Sequence, residues 1–394
     1  MNSFYREYLD AAMDRSGTNC EKWDRCGEHF GRDGLIPMWV ADMDFPTVPA
    51  VVDALVARAK HPIYGYTENS AEEKRAEIGW LRRRYGLEAD PEWILYSPGV
   101  VDSIFFCVRA LTQPGDKVLI QPPVYGPFYR AVELFDRTLA LNPLKHTQAG
   151  WEMDFEGLER ELAGGVKLMI LCNPHNPVGR VWTRDELQRV VDAANRYGAI
   201  IVSDEIHADF NLSGPGHTRI LSLENADRCV MLTSATKSFN LAGLRQSSAI
   251  IRDAELRKRV RAEIERSHAG SPNIFGAIAQ TAAYNFGDEW MDAVVEYVRE
   301  NRDFAVDFIR TRIPEIHCAP QDGTYLMWLD CRDVGLSHEA FFHKLVEEAG
   351  VALNSGLDYG EAGRGFFRFN LATQRSRVEE ALVNIERMVR GMHR

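Results

Sequence analysis

Lys237 stands in the polar turn Ser234-Ala235-Thr236-Lys237-Ser238-Phe239-Asn240, directly after the apolar run Cys229-Val230-Met231-Leu232. A run of that length reads as a buried strand, and the Ser/Thr cluster as its outgoing loop. An amine at the carboxyl end of a strand lies where open α/β sheets take their ligands. If partly desolvated, it can attack a carbonyl and form a Schiff base. Taken alone, it reads more plainly as a surface lysine on a loop. Other stretches also place polar groups after apolar runs. Ser97-Pro98-Gly99 precedes a helix opening at Val100 and offers free backbone N–H groups and a helix dipole to a phosphate. With no Walker lysine and no GxGxxG, that signal is unspecific. Asp204 follows a buried strand, where a carboxylate needs a cationic or hydrogen-bonding partner such as a protonated ring nitrogen. Asn176, between two turns, can donate to a phenolate oxygen, and Tyr125, on a Pro-rich loop, offers a flat face for stacking. His207 reads either as a group of the same site or as a strand-end histidine satisfied by a carboxylate. By residue type, Asp204, His207 and Asp209 could also hold a metal. That fits less well, and no metal is expected.

The elements that must position these groups alternate. Trp93 to Tyr96, Lys117 to Ile120, Val166 to Cys172, Ala199 to Val202, Cys229 to Leu232 and Ser247 to Ile251 read as strands. Val100 to Leu111 reads as a helix, and Thr183-Arg184-Asp185-Glu186 as a capping box for a helix ending before Gly198. Ser70-Ala71-Glu72-Glu73 opens another that stops near Gly86, and Thr47 is expected to cap one running to about Lys60. Apolar strands separated by capped helices predict an α/β fold with a mostly parallel sheet covered on both faces. Beyond about residue 285, amphipathic helices near 288–312 and 338–349 flank strand-like runs at 325–329 and 365–370, which reads as a smaller α+β domain. The expected division is an N-terminal arm (1–46) completing the small domain, a large domain (47–284) and the small domain itself (285–394). Trp39-Val40-Ala41-Asp42-Met43-Asp44-Phe45-Pro46 alternates apolar and acidic residues too tightly for a regular element. It reads as backbone lining a site or as an arm that merely packs.

The 394 residues carry a formal charge of −11, with 26% charged and 45% hydrophobic residues. That balance fits a soluble globular protein and argues against a nucleic-acid surface. Arg82-Arg83-Arg84 reads as a solvated helix face. No apolar run approaches the length of a membrane span, and the first ten residues lack a signal-type apolar core. Seven scattered cysteines, with no CxxC pair, predict reduced thiols and a cytoplasmic location.

The polar groups together are the parts that pyridoxal 5'-phosphate requires, because its ring must stay protonated to act as an electron sink. Asn173-Pro174-His175-Asn176-Pro177-Val178-Gly179, Ser203-Asp204-Glu205-Ile206-His207, the Lys237 turn and Phe367-Arg368-Phe369-Asn370 follow one another in an order that resembles the class I/II aminotransferase family of fold-type I pyridoxal-phosphate enzymes. The resemblance runs from Trp39 to the C-terminus. Residues 38–45 and the Asp-Glu-Ile-His form are similar to the cystathionine β-lyase (C–S β-lyase) branch.

The resemblance implies roles for individual residues. Lys237 would hold the cofactor as a Schiff base and later move protons at Cα. Asp204 would pair with the ring nitrogen, Asn176 with the ring oxygen, and Tyr125 would stack on the ring. Ser234 and the backbone of Gly99, Val100 and Val101 would hold the phosphate, joined by Tyr66 from the neighbouring subunit of a homodimer. Arg368 would clamp the substrate α-carboxylate, with Ala41 beside it. His207 stands where many aminotransferases have tyrosine. Arg245 matches their phosphate-binding arginine, where the lyase branch often has a neutral residue. The expected activity is cleavage of cystathionine or related cysteine S-conjugates to pyruvate, ammonia and a thiol. Aminotransfer between an L-amino acid and a 2-oxo acid is the alternative. A regulatory protein retaining the fold is a third reading, disfavoured because Lys237 and Asp204 are both present.

Overall fold

The computed structural model describes residues 2–147, 149–213 and 216–392. Its centre is a seven-stranded sheet in the order Ile94–Ser97, Ser247–Ile251, Cys229–Thr233, Ile200–Asp204, Val166–Cys172, Lys117–Ile120, Thr138–Leu141. The last five in that order are mutually parallel, whereas Ser247–Ile251 runs antiparallel to both neighbours. The reversed strand therefore begins at the edge where the others end, which brings Arg245 to the carboxyl ends of the parallel set.

Burial on both faces explains the unbroken apolar runs. Within Val166–Cys172, Leu168, Ile170 and Cys172 join one core cluster while Val166, Met169 and Leu171 join another. The helix Arg184–Tyr197 behaves as its sequence predicts. Thr183 and Glu186 form the reciprocal capping box, Leu187, Val190, Val191 and Ala194 are buried, and Gly198 ends it at φ 73°. The cap expected at Thr47 is not made. Helix Pro49–Ala59 starts after Val48 without a side-chain cap, because the Thr47 hydroxyl donates instead to the Phe239 carbonyl at 2.7 Å. Tertiary demand from the Lys237 turn outweighs a local cap.

Towards the C-terminus a four-stranded sheet forms from His317–Cys318, Leu326–Asp330, Phe366–Asn370 and Asn354–Ser355, antiparallel throughout. Ile36–Pro37 pairs in parallel with Val351–Ala352, so the N-terminal segment adds to this part of the chain. The helix expected over 338–349 is α-helical at His338–Lys344 and widens into a π turn at Leu345–Ala349.

Residues 39–46 form no regular element, yet every one of their carbonyls is bonded by a side chain. Arg368 donates to Trp39, Asn370 to Val40 and Asp42, Lys237 and Tyr325 to Ala41, and Asn240 to Met43 and Phe45. Gln374 and Trp290 complete the set at Asp44 and Pro46. The stretch packs, with Met43 and Phe45 in the core, and it also presents Ala41 to a cavity, so it does more than merely pack.

Asp44 is the electrostatic anchor of the arm. Its carboxylate accepts from Lys22 Nζ and Trp23 Nε1, both at 2.9 Å, and from Arg15 at 2.9 Å. Burial pushes its pKa up, but the Lys22 charge and these hydrogen bonds prevail and hold it well below the usual carboxylate range. A depressed carboxyl stabilises the fold above its unfolded pKa, and that contribution fades as pH falls towards the folded value. Asp44→Asn is therefore expected to lose about 3 kcal/mol at neutral pH, a gap that narrows below about pH 4. Urea unfolding of both proteins across that range checks it.

Candidate active site

The carboxyl ends of the parallel strands, the start of helix Val100–Leu111 and the Ala41 peptide enclose a cavity of about 220 Å³. Ala41, Gly99, Val100, Val101, Tyr125, Asn176, Asp204, His207, Lys237 and Arg245 all line it. Lys237 lies in a one-turn helix, Ala235–Ser238, and its Nζ donates to the Ala41 carbonyl at 2.7 Å. Burial lowers its pKa from the ordinary lysine value. The surface reading of this lysine is excluded.

Asp204 is the last residue of its strand and is buried, with Oδ1 accepting from the Ile206 N–H at 3.1 Å. Among the described residues it has no ion-pair partner. Burial raises its carboxyl pKa to about 7. Asn176 uses its amide oxygen to accept from Arg368 Nη1 at 3.2 Å, which leaves its N–H groups as donors. Helix Val100–Leu111 has Gly99 at its N-cap and no side-chain cap, so its first N–H groups are free for an anion. A carboxylate without a cation, an uncapped helix start, a spare amide donor and a desolvated amine around one cavity fit pyridoxal phosphate in its ring nitrogen, phosphate, phenolate oxygen and carbonyl carbon.

Three expected residues are not among those lining the cavity. Arg368 is buried next to it, bonded to Asn176 and donating to Trp39 O at 2.8 Å and Asn354 Oδ1 at 2.7 Å, with Nε unpartnered. Ser234 does not line the cavity. Its hydroxyl donates to the Gln246 carbonyl at 2.6 Å and accepts from the Thr236 N–H, capping the Lys237 helix. Tyr66 is fully exposed and away from the cavity.

His207 is not satisfied by a carboxylate. Its Nδ1 is buried without a partner, and its ring meets Tyr325 edge-on at 5.6 Å. Burial, reinforced by the charges of Lys237 and Arg368, lowers its pKa to about 3, so the imidazole is neutral. Asp209 is engaged by Trp80, Tyr85 and Ser238 and does not join Asp204 and His207 in a ligand cluster.

Several further residues of the site were not expected from the sequence, among them Pro98, Ile206 and Ala242 in the cavity wall. Thr236 and Cys172 line the cavity, and Tyr325 donates to Ala41 O at 2.9 Å beside Lys237. Asp102 lines it too and pairs with Arg245 at 3.0 Å. An acid in the first turn of a helix that opens on a phosphate site was the one available signal, because it favours the same helix end as the phosphate.

The sequence model described as aminotransferase class I and II matches residues 34–385. The chain belongs to that family. Cystathionine beta-lyase PatB of Bacillus subtilis is 40% identical over 381 residues, covering 96% of this chain and 98% of PatB. Cystalysin from Treponema denticola, whose crystal structure contains a pyridoxal 5'-phosphate cofactor, superposes with a TM-score of 0.94 at 31% identity, covering 98% of this chain and 99% of that one. The pyridoxal-phosphate-bound C–S lyase from Staphylococcus hominis gives a TM-score of 0.89 at 30% identity, with 97% of each chain covered.

For this member of the family, Asp204 sets a stability penalty that can be measured. A carboxyl whose folded pKa is raised favours the fold below its unfolded pKa and costs stability as pH rises through the folded value, near 7 here. Cofactor-free Asp204→Asn is therefore expected to be more stable than wild type above pH 7, by roughly 2–4 kcal/mol, while binding pyridoxal phosphate more weakly. Thermal melting at several pH values and a cofactor titration test the two halves separately.

Proposed function

We propose that the chain is a pyridoxal-phosphate-dependent C–S β-lyase that cleaves cystathionine or a related cysteine S-conjugate to pyruvate, ammonia and a thiol. The observation that carries the pyridoxal-phosphate chemistry is the buried Asp204 carboxylate, with no ion-pair partner among the described residues, in one cavity with the Lys237 amine. The choice of C–S cleavage over aminotransfer rests on the similarity to named C–S lyases. When bound, the cofactor supplies an electron sink for the pair released at the substrate Cα.

The chain's own residues do the rest. Lys237, its pKa lowered by burial, would hold the cofactor's carbonyl carbon, and once the substrate amine has displaced it there its freed amine would take the Cα proton as general base. Asp204 would be the counter-charge that keeps the ring nitrogen protonated, and Asn176 would donate to the ring oxygen. Tyr125 would stack on the ring, while the N–H groups of Val100 and Val101 behind Gly99 would take the phosphate with Arg245. Ser234 would support the phosphate end of the site by capping the Lys237 turn. His207 would stand beside the ring as a neutral group. Arg368, held by Trp39, Asn176 and Asn354, orients the substrate carboxylate next to Ala41.

The exposed Tyr66 is assigned to the phosphate of a neighbouring subunit, which makes the active unit a homodimer. The same reading keeps the division at 46/47 and 284/285 and a cytoplasmic location. No helix among the described residues is long and apolar enough to cross a membrane.

Purified protein given L-cystathionine should release pyruvate and a free thiol. If amino-group exchange with a 2-oxo acid is the only product-forming reaction, the aminotransferase reading replaces this one. Lys237→Ala should lower pyruvate release roughly 10³-fold and remove the visible absorbance band that pyridoxal phosphate gives with the wild type.

A further inference from the structure

Asp209 makes a set of contacts that the proposed chemistry does not use. It is the last residue of the turn that follows the strand ending at Asp204, and it is only partly buried. Its Oδ1 accepts from Trp80 Nε1 at 3.1 Å and from the Tyr85 hydroxyl, and its Oδ2 accepts from the Ser238 hydroxyl. Trp80 and Tyr85 belong to helix Ala71–Tyr85, and Ser238 is the neighbour of Lys237 in the one-turn helix Ala235–Ser238. One carboxylate thus joins three separate elements, one of which carries the amine.

The two anchors are themselves fixed. Trp80 is buried and stacks on Tyr284 at 5.5 Å. The Tyr85 ring lies under the Arg219 guanidinium at 3.9 Å, and Arg219 is held by Glu205 at 3.3 Å. On the other side of the turn, Thr47 bonds Phe239 O and Asn240 bonds the arm at Met43 and Phe45. The Lys237 helix has four residues, too few to hold its orientation by its own hydrogen bonds. Its register has to come from these side-chain ties.

We propose that Asp209 is a positioning residue for Lys237, setting the direction of the Cα–Cβ bond of the lysine through Ser238. The proposal rests on the reading of Lys237 as the reacting amine. Small misplacements of a reacting group are costly, on the order of 10²-fold for about 1 Å, so a lost tie should appear in turnover before it appears in binding.

The test uses full-length holoenzyme carrying Ser238→Ala, Asp209→Asn or both. Ser238→Ala leaves the Trp80 and Tyr85 bonds in place, so it remains informative if Asp209→Asn folds poorly. Each single variant is expected to lower kcat about tenfold with KM within about twofold of wild type. Each should also move the midpoint of the pH titration of the visible band by roughly half a pH unit or more. The double variant should be no worse than the weaker single variant, because both changes break one tie. Wild-type kcat and an unmoved midpoint in Ser238→Ala, with or without a lower melting temperature, would overturn the proposal. So would additive losses in the double variant. A wild-type protein that gives no visible band, or a Lys237→Ala protein that keeps it, would instead remove the lysine reading beneath it.

Discussion

The irregular stretch 39–46 imposes the strictest constraint in the molecule. A buried backbone outside helix or sheet has carbonyls that neither a ladder nor solvent can satisfy, and each one left unpaired is costly. Here every carbonyl is taken by a side chain, and the donors come from all parts of the chain: Arg368, Asn370 and Gln374 from the C-terminal region, Lys237 and Asn240 from the turn after a central strand, Trp290 from a long helix. Meeting the hydrogen-bond demand of one short segment therefore fixes where several distant elements stand relative to one another.

Two of these donors also reach the cavity, Lys237 by lining it and Arg368 through Asn176. Arg368 bonds both the arm and Asn176, and Tyr325 shares the Ala41 carbonyl with Lys237. Fold and site are thus held by a common set of bonds. This explains why buried charge is tolerated here. Lys22, Arg15 and Asp44 compensate one another in the arm, whereas Asp204, on the cavity side, has no such partner. A carboxylate left uncompensated against a well-compensated background is an energetic cost with a functional address.

Most of this was legible in the sequence where local rules are strong. The strand Val166–Cys172, the capping box at Thr183 and the helix from Val100 match their expected bounds because periodicity and capping are short-range. The misses are long-range. Thr47 has the type of a cap but serves Phe239, a partner 192 positions away. The hairpin of Lys145–Thr147 and Gly150–Glu152 is too short to leave a pattern, and the antiparallel course of Ser247–Ile251 is topology, which apolar content does not encode. At the site, Lys237, Asp204 and Asn176 stood out because each follows a strand. Tyr325 and Asp102 did not, since their roles consist of a bond to a backbone carbonyl 284 positions away and a pair with Arg245.

Arg245 looked, in the sequence, like the one residue favouring aminotransfer. Its setting weakens that inference. The guanidinium is mostly exposed at the cavity rim and paired with Asp102, which is itself in the first turn of the helix that would take the phosphate. An arginine beside a carboxylate adds little net charge to a phosphate site, so the field there is set chiefly by the helix start. The reaction outcome is not written in the phosphate cradle. Lyase and aminotransferase chemistry both need the same base at Cα and the same counter-charge for the ring, and they part only at what happens to the group on Cβ. Ala41, Tyr125 and His207, the last packed against Tyr325, are among the walls of the cavity, which turns the question of specificity to the arm and the elements it holds in place.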